Sequence, residues 1–433
     1  MPVAIAERRV LRIAVLCLLY VAQGMPFGFV TVTLAAYLAD KGASTDEVGG
    51  LVAWATLPWV FKCAWGPLID WLSRSRMGRR RPWILTAQGM MVLTAAALIA
   101  IPELREDMSL LIALVVLHNV FASLQDVSVD ALAVDLLSEK ERGSAAGMMY
   151  GSSYLGLVIG GAGLSTVLGT YGLRAALLTQ VVILTAIMLV PLLLREREGD
   201  AFFSLRARPG ERAGGLASIL ELFINLLRAF ARRSPLLSMA LALSVQIAVG
   251  ALAAIGTVLL TQQLGWTQEE YGQLIGGVPV LFGLAGSVAG GFVADRLGRR
   301  RSIALASILL GASFVGFAAL QPYWESRTVI VAITCAQSLF QGLLSASLFA
   351  LFIDVSWPKV AATQFTAYMA LLNLSTSAGG WVAGTVQGWF GFAGAHVALG
   401  VFQAALVLLL IPLDPHQNRR ELGEEAPAPA GGG

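Results

Sequence analysis

The sequence predicts an all-α membrane protein in which twelve transmembrane helices form two six-helix bundles. Composition is the first reason: 57% of the 433 residues are hydrophobic and 13% are charged, whereas a soluble protein carries about 25% charged residues. The second reason is that apolar segments of about 20 residues recur, each long enough to cross a bilayer as a helix. The third is an internal repeat, in which a glycine-acid-basic segment near residue 70 returns near residue 295.

The apolar segments define the spans. The first, 10–39, is too long for a signal peptide, and no small-residue cleavage site follows it, so we expect it to be retained. The spans that follow are 46–71, 83–102, 108–136, 143–168, 173–194, 235–263, 270–294, 301–321, 327–354, 360–388 and 394–413. The chain therefore divides into an N-terminal bundle (1–194), a linker (195–234), a C-terminal bundle (235–414) and a tail (415–433).

The linker and the tail have contrasting compositions. In 215–233, polar residues recur at steps of three and four between apolar ones, which predicts an amphipathic helix at the membrane interface. A loose linker is the alternative. The tail ends in "EEAPAPAGGG", a composition typical of disorder.

Basic residues predict the orientation. With the N-terminus in the cytoplasm, 25 of the 30 lysines and arginines lie at the cytoplasmic ends of spans or in the connections there, and four lie in the outer connections. Positive charge is retained on the cytoplasmic side. We therefore expect both termini to be cytoplasmic.

Three carboxylates fall in or at the end of the fourth span. Asp135 comes just before the charged "SEKER", so it lies at the cytoplasmic edge. Asp130 and Asp126 are about 7 and 13 Å deeper at 1.5 Å per residue, and an acid at mid-membrane costs about 2.5–3.5 kcal/mol on insertion scales. At about 100° per residue, Asp126 and Asp130 share a face and Asp135 points to the opposite side.

Lys62 is the one lysine inside a predicted span, and its depth matches that of Asp126. A pair with Asp126 or Asp130 is geometrically allowed. A carboxylate whose lysine partner moves away can carry a proton, since the opposite charge favours ionisation and burial opposes it. We predict proton coupling by Lys62, Asp126 and Asp130, without deciding which acid carries the proton. The alternatives are a permanent ion pair that fixes helix packing and substrate binding by Lys62 without coupling.

The repeat resembles a known family. "GPLIDWLSRSRMGRRR" after the second span and "GGFVADRLGRRR" after the eighth are similar to the signature of the major facilitator superfamily. Within that superfamily, "QGMPFG" (23–28), "LPWVFKCAWGPLID" (57–70) and "QDVSVDALAVDLLSEKERG" (125–143) look like the AmpG-like family of muropeptide permeases and acetyl-CoA transporters. The resemblance implies two pseudo-symmetric bundles that move against each other.

The resemblance also implies a role for the charges at the inner ends of the spans. In the superfamily such clusters lock the inner gate, and plain positive-inside anchoring is the alternative. The predicted gating residues are Asp70, Arg79, Arg80, Asp135, Asp295, Arg296, Arg299, Arg300 and Asp354.

Spans one, four, seven and ten line the cavity in the superfamily, which points to a polar substrate face. Gln337 and Gln341 lie four residues apart on the tenth span, and neutral amides suit sugar hydroxyls and peptide groups. Helix–helix hydrogen bonds are the alternative role for any single glutamine. The predicted substrate-binding residues are Tyr20, Gln23, His118, Asn119, Gln246, Gln337, Gln341 and Asn373.

These patterns predict a proton-coupled importer of a polar solute, and the resemblance suggests cell-wall-derived anhydromuropeptides. A siderophore or a CoA ester is the alternative solute, and a membrane sensor that does not transport is the alternative class. No HExxH, GxSxG in context or phosphate-binding loop is present, so we expect no enzyme, catalytic residue, metal or cofactor. The expected partners are a small polar solute and the bilayer, with no nucleic acid, for a monomer in the bacterial cytoplasmic membrane.

Overall fold

The computed structural model describes residues 4–72, 75–101, 105–202, 204, 224–357 and 360–421. Almost all of these residues are helical. Apart from the helices, Ala4 and Arg195 form an isolated parallel bridge. The predicted all-α membrane fold is confirmed.

We label the membrane-crossing segments α1 to α12 in chain order. The bounds are α1 Arg9–Asp40, α2 45–72, α3 Arg81–Ile99, α4 Met108–Leu136, α5 139–171, α6 Leu173–Leu193, α7 Arg233–Gln263, α8 Gln268–Leu297, α9 Arg299–Ala319, α10 Arg327–Val355, α11 361–390 and α12 392–410. They agree with the predicted spans to within a few residues.

Ten continuous helices in the described residues are long and apolar enough to cross a membrane. Two details raise this number to twelve. A 3₁₀ turn, Leu57–Ala64, divides α2 into shorter pieces. The last of the ten continuous helices contains both α11 and α12, because Gly391 interrupts it with a φ of 66°, a conformation that glycine adopts at little cost.

The first turns of α2 and α8 have the same arrangement of side chains, as the internal repeat predicts. Each helix begins with a capping box, formed by Ser44 and Glu47 in α2 and by Thr267 and Glu270 in α8. Each capping glutamate also pairs with an arginine at or just before the start of the next-but-one helix: Glu47 with Arg105 at 2.8 Å, and Glu270 with Arg327. A capping box satisfies amide groups that a helix start leaves unpaired. The same local interactions therefore stabilise the corresponding helix starts in both halves.

The two halves meet at one end of the molecule and separate at the other. We call the side that holds the described chain ends the terminal side, and the opposite side the far side. On the far side, Gln262 Nε2 of α7 donates to the carbonyls of Ala39 and Ala43, 2.8 Å in each case. The Ser377 hydroxyl of α11 donates to the Ala53 carbonyl at 3.0 Å. These bonds join α1 and α2 to the second half.

On the terminal side, the facing helices pack within their own halves. The 139–158 part of α5 packs on α1, and the 278–297 part of α8 packs on α10. Among the described residues, these two parts make no extensive contact with each other. Tyr150 of α5 and Phe292 of α8 are 59% and 64% exposed. A space between the halves therefore opens toward the terminal side.

Part of the linker lies outside the described residues. Of the predicted amphipathic helix, 215–233, residues 215–223 are not described and 224–230 are helical. The beginning of the linker docks on the first half, where Glu196 Oε2 accepts from the Arg80 and Arg81 amides at 2.8 and 3.0 Å.

The predicted disordered tail begins too early. Residues Gln417–Glu421 form a short helix, and the buried Asn418 amide donates to the Val355 carbonyl at 2.9 Å. This hydrogen bond anchors the short helix to the end of α10. Residues 422–433 lie outside the described part of the chain.

Candidate functional site

A charged cluster lies inside the first half, between α1, α2 and α4. Lys62 Nζ lies 3.1 Å from Asp126 Oδ2, so the predicted pair is present. The Tyr20 hydroxyl donates to Asp130 Oδ1. The Tyr150 ring of α5 meets the Tyr20 ring edge to face, with the ring centroids 5.9 Å apart. The predicted common face of Asp126 and Asp130 therefore points into one cluster.

The irregular part of α2 positions the lysine. The 3₁₀ turn Leu57–Ala64 begins with Pro58, which lacks an amide proton. Two tryptophans flank Lys62 and donate their indole N–H groups to α4. Trp59 Nε1 donates to Asn119 Oδ1 at 3.1 Å, and Trp65 Nε1 donates to Ser123 Oγ at 2.9 Å. These two bonds hold α2 against α4 on either side of the ion pair.

The two carboxylates have different partners. Asp126 is only 7% exposed and forms the ion pair with Lys62. Asp130 receives a hydrogen bond from the neutral Tyr20 hydroxyl. The cluster thus combines two carboxylic acids with one ammonium group. A single bound proton makes it electrically neutral, which lowers the cost of keeping it in a low-dielectric environment.

Tyr150 is a member of this site that the sequence analysis missed. Its ring packs beside Tyr20 while more than half of the side chain remains exposed, on the side where the halves separate. Tyr154 lies one turn further along α5 and is 40% exposed. Two tyrosines four residues apart, in the glycine-rich "GMMYGSSYLG", were the available signal.

The second half contributes amides. Gln341 Nε2 of α10 donates to Gln246 Oε1 of α7 at 2.9 Å. Gln337 lies one turn further toward the far side and lines a cavity of about 220 Å³ together with Gln341. Asn373 of α11 is half-buried, and no described residue hydrogen-bonds to its side chain.

Three predicted substrate residues face the interior of the first half instead. His118 is buried, and its Nδ1 lies 2.8 Å from Thr94 Oγ1 of α3. Asn119 is buried between Trp59 and its own helix, where it donates to the Val115 carbonyl. Gln23 is 4% exposed. This burial argues against direct contact of these side chains with a solute, because the helices present them to neighbouring helices.

The predicted gating residues form ion pairs within each half. Arg80 Nε lies 2.8 Å from Asp135 Oδ2, so Asp135 points away from Asp126, as its position on the helix predicts. In the second half, Arg299 bridges Asp295 at 2.5 Å and Asp354 at 3.0 Å.

The other predicted gating residues have different environments. The Arg300 guanidinium donates to the Ile411 carbonyl at 2.5 Å, Arg296 is exposed, and Arg79 has partners of its own. The side chain of Asp70 lies outside the described part of the structure. The described residues contain no group of three or more histidine, cysteine, aspartate or glutamate side chains placed to hold a metal ion.

Comparisons with known proteins agree with the fold. A sequence profile described as "Major Facilitator Superfamily" matches residues 16–324 and 240–431. The anhydromuropeptide permease of Escherichia coli (strain K12) is 27% identical over 408 residues, which cover 92% of this chain and 79% of that protein.

Two solved structures have the same fold. The nucleoside transporter NupG matches with a TM-score of 0.71 at 12% identity, covering 92% of this chain and 98% of the other. A D-xylose-proton symporter matches with a TM-score of 0.69 at 12% identity, covering 94% and 99%. At these identities the likeness establishes the fold alone.

Proposed function

Because this chain belongs to the Major Facilitator Superfamily, we propose that it is a proton-coupled secondary transporter that works by alternating access. It imports a polar solute, and anhydromuropeptides from cell-wall breakdown are the best-supported class. The observation that carries the coupling is the cluster of Lys62, Asp126, Asp130 and Tyr20 inside a membrane-spanning half. Ionisable groups at such depth are costly and mark ion or proton pathways.

The substrate proposal is supported by the similarity to the E. coli anhydromuropeptide permease over 92% of this chain. The distribution of charge is consistent with it, because the second half offers the neutral amides Gln246, Gln337 and Gln341. A large polyanion such as a CoA ester would favour several arginines at this depth. Lys62 is the one basic residue of the described cluster, and Asp126 neutralises it.

The excess of positive charge supports a cytoplasmic terminal side, with both chain ends in the cytoplasm of a bacterial inner membrane. In this orientation the structure corresponds to an inward-facing state, with the far side closed by the Gln262 and Ser377 bonds. The ion pairs of Arg80 and Arg299 lie at the open end, within separate halves. We propose that they exchange partners across the halves when this end closes.

We assign the proton to Asp130. Protonation of Asp126 would break its direct ion pair with Lys62, whereas the described contact of Asp130 is a hydrogen bond from a neutral hydroxyl, so its protonation breaks no ion pair. In the outward-facing state, Asp130 takes a proton and the neutral cluster changes sides with its solute. On the terminal side, Asp130 releases the proton and accepts again from Tyr20, as in this structure.

The decisive experiment is uptake of labelled anhydromuropeptide into proteoliposomes, with and without an imposed pH gradient. At one proton per solute, a gradient of one pH unit supports about tenfold accumulation. We expect Asp130→Asn to lose this accumulation but to keep exchange of internal for external solute. The exposed Glu325 provides a matched control as Glu325→Gln, which should behave as wild type.

Each alternative has its own outcome. Accumulation that survives in Asp130→Asn but disappears in Asp126→Asn would transfer the proton to Asp126. Folded wild-type protein that takes up no anhydromuropeptide would refute this substrate class and make ferric siderophores and CoA esters the next solutes to test. Binding without any uptake would indicate a sensor.

A further inference from the structure

The second half contains a cavity beside Gln337. The cavity measures about 220 Å³ and lies between α7, α8, α9, α10 and α12. Asp354 follows Asp135 by 219 residues, and the same spacing relates Gln337, which lines the cavity, to His118. In the first half, His118 is buried against Thr94 of α3. Equivalent positions of the repeat thus place His118 against a neighbouring helix and Gln337 at a cavity.

Polar side chains with unused hydrogen-bonding groups line this cavity. Gln341 donates through Nε2 to Gln246, and its buried Oε1 accepts no hydrogen bond. Among the described residues, none hydrogen-bonds to the amide of Gln337. His396 Nδ1 donates to the Phe392 carbonyl at 2.8 Å, which leaves Nε2 of the neutral ring as an acceptor. Buried polar groups are normally satisfied, so these groups favour a ligand with its own donors and acceptors.

Aromatic rings form much of the remaining wall. Phe314, Phe317 and Tyr271 line the cavity, and Phe317 stacks on Trp324 with the ring centroids 5.0 Å apart. None of the described residues that line it is charged. A volume of about 220 Å³ lies below the roughly 300–1,000 Å³ of pockets that enclose a drug-sized ligand. The cavity therefore suits one neutral ring of a larger solute, with apolar faces and a polar edge.

We propose that this cavity binds an acetamido-pyranose ring of the transported solute. The inference rests on the proposed function and gives the sugar portion a place in the second half. Ring hydroxyls and the acetamide hydrogen-bond to Gln337, Gln341 and His396, while the C–H face of the ring packs on Phe314 and Phe317. Pockets of this kind combine an apolar wall with a few placed polar groups.

The depth of the cavity is close to that of the charged cluster. By the 219-residue spacing, Ser345 of α10 corresponds to Asp126 of α4. Gln341 lies one helical turn nearer the far side than Ser345, about 6 Å along the helix axis. A ring bound at Gln341 therefore lies about one helical turn from the depth of Asp126.

Gly256 of α7 permits a selective test. It lines the cavity, and a Cβ built on it meets no atom within 4 Å. Gly256→Phe should therefore fill the cavity without displacing its neighbours. Gly388 of α11 also has open space around it but does not line the cavity, so Gly388→Phe is the matched control. Gln337→Leu and Gln341→Leu remove hydrogen bonds without filling the space.

The measurement is calorimetric binding of the peptide-free disaccharide N-acetylglucosaminyl-1,6-anhydro-N-acetylmuramic acid to the full-length protein in lipid nanodiscs. We expect wild type and Gly388→Phe to bind alike and Gly256→Phe to lose binding. Each glutamine variant should bind about tenfold more weakly, which corresponds to about 1.4 kcal/mol. Thermal unfolding of every variant verifies that it is folded.

Two results would overturn the inference and leave the proposed function intact: equal binding by wild type and Gly256→Phe, or no disaccharide binding by a wild type that takes up anhydromuropeptide. A third is native mass spectrometry showing an acyl chain in wild type that Gly256→Phe loses, since the cavity would then hold lipid. Uptake of the complete anhydromuropeptide decides the proposed function separately.

Discussion

Equivalent pairs of helices, α2 with α4 and α8 with α10, are joined by different kinds of contact. In the first half, α2 is attached to α4 through side chains, with the Lys62–Asp126 ion pair between the indole hydrogen bonds of Trp59 and Trp65. In the second half, α8 and α10 approach backbone to backbone. A Cβ on Gly286 would overlap the Leu339 carbonyl, and one on Gly342 would overlap the Gly283 carbonyl.

The internal repeat shows which residues differ between the two pairs of helices. Asp295 follows Asp70 by 225 residues, and the same spacing relates Lys62 to Ser287 and Trp65 to Gly290. Large and charged residues in α2 thus correspond to small ones in α8. Small residues allow close helix packing in membranes. One fold thus supplies two different parts: a half that holds charge between its helices and a half in which two helices pack backbone to backbone.

Removal of the lysine should have the largest effect. Lys62→Met leaves Asp126 buried without its counter-ion, which costs about 3–5 kcal/mol when a buried pair is broken from one side. Thermal unfolding in detergent measures the loss. The double variant Lys62→Met/Asp126→Leu should recover most of the stability without restoring proton-driven uptake. Equal stability of wild type and Lys62→Met would show that the pair does not hold α2 against α4.

The glycine contact of the second half should be the next most sensitive. Gly286→Ala places a methyl group against the Leu339 carbonyl, and overpacking of this kind costs about 1–3 kcal/mol. Gly291→Ala is the control, because a Cβ there meets no atom within 4 Å. Both variants are compared by thermal unfolding. If both unfold at the same temperature, close approach of α8 and α10 contributes nothing.

An indole hydrogen bond should have a smaller effect. Trp65→Phe keeps an aromatic ring and removes the donor to Ser123 Oγ, so we expect a loss of about 0.5–1.5 kcal/mol. Trp389→Phe is the matched control, since Trp389 is 76% exposed. The expected signature is a lower unfolding temperature for Trp65→Phe alone. Unchanged stability would mean that the ion pair suffices to join the two helices.

The smallest expected effect concerns a pair that the second half lacks at the equivalent position. Glu141 precedes the membrane-spanning part of α5, Gly147–Tyr171, and its carboxylate accepts from Ser138 and from Arg12 of α1. The Ser138 hydrogen bonds, and secondarily the Arg12 charge, hold the Glu141 pKa below its usual value. The 219-residue spacing places Val360 at the corresponding position.

The pH dependence of this contribution follows from the sign of the shift. A lowered pKa in the folded state stabilises the protein above the unfolded value of about 4.3, and this stability is lost as the pH falls through the folded pKa. Wild type should therefore unfold slightly above Glu141→Gln near pH 7. The difference should decline as the pH falls below about 4.3 and vanish below the folded pKa of Glu141. A difference that persists in acid would indicate that the glutamate acts through packing and not through its charge.

Helical periodicity predicted part of the site correctly. Asp126 and Asp130 are four residues apart and point into one cluster, whereas Asp135 pairs with Arg80 elsewhere. The same periodicity could have corrected the interpretation of Asn119. It lies seven residues from Asp126, almost two full turns, and so faces α2 as Asp126 does. Its bond with Trp59 follows from that position.

Other features depend on how the helices are arranged. Tyr150 belongs to the site because α5 packs on α1 and brings its ring to Tyr20. His118 faces α3 and not the predicted substrate face, because its Nδ1 hydrogen-bonds to Thr94 of α3. The cavity beside Gln337 lies where five helices of the second half leave space between them. Each of these features depends on residues that are far apart in the sequence.

By itself the sequence determined the membrane location, the spans, the repeat and the acids that share a face. These features follow from hydrophobic length and from the fixed rise and turn of a helix, which are properties of neighbouring residues. Only the tertiary structure decided which acid is paired with Lys62, which amides line a cavity and which end of the molecule is open. These outcomes depend on contacts between helices far apart in the chain, where a few small or bulky residues determine how closely two helices approach.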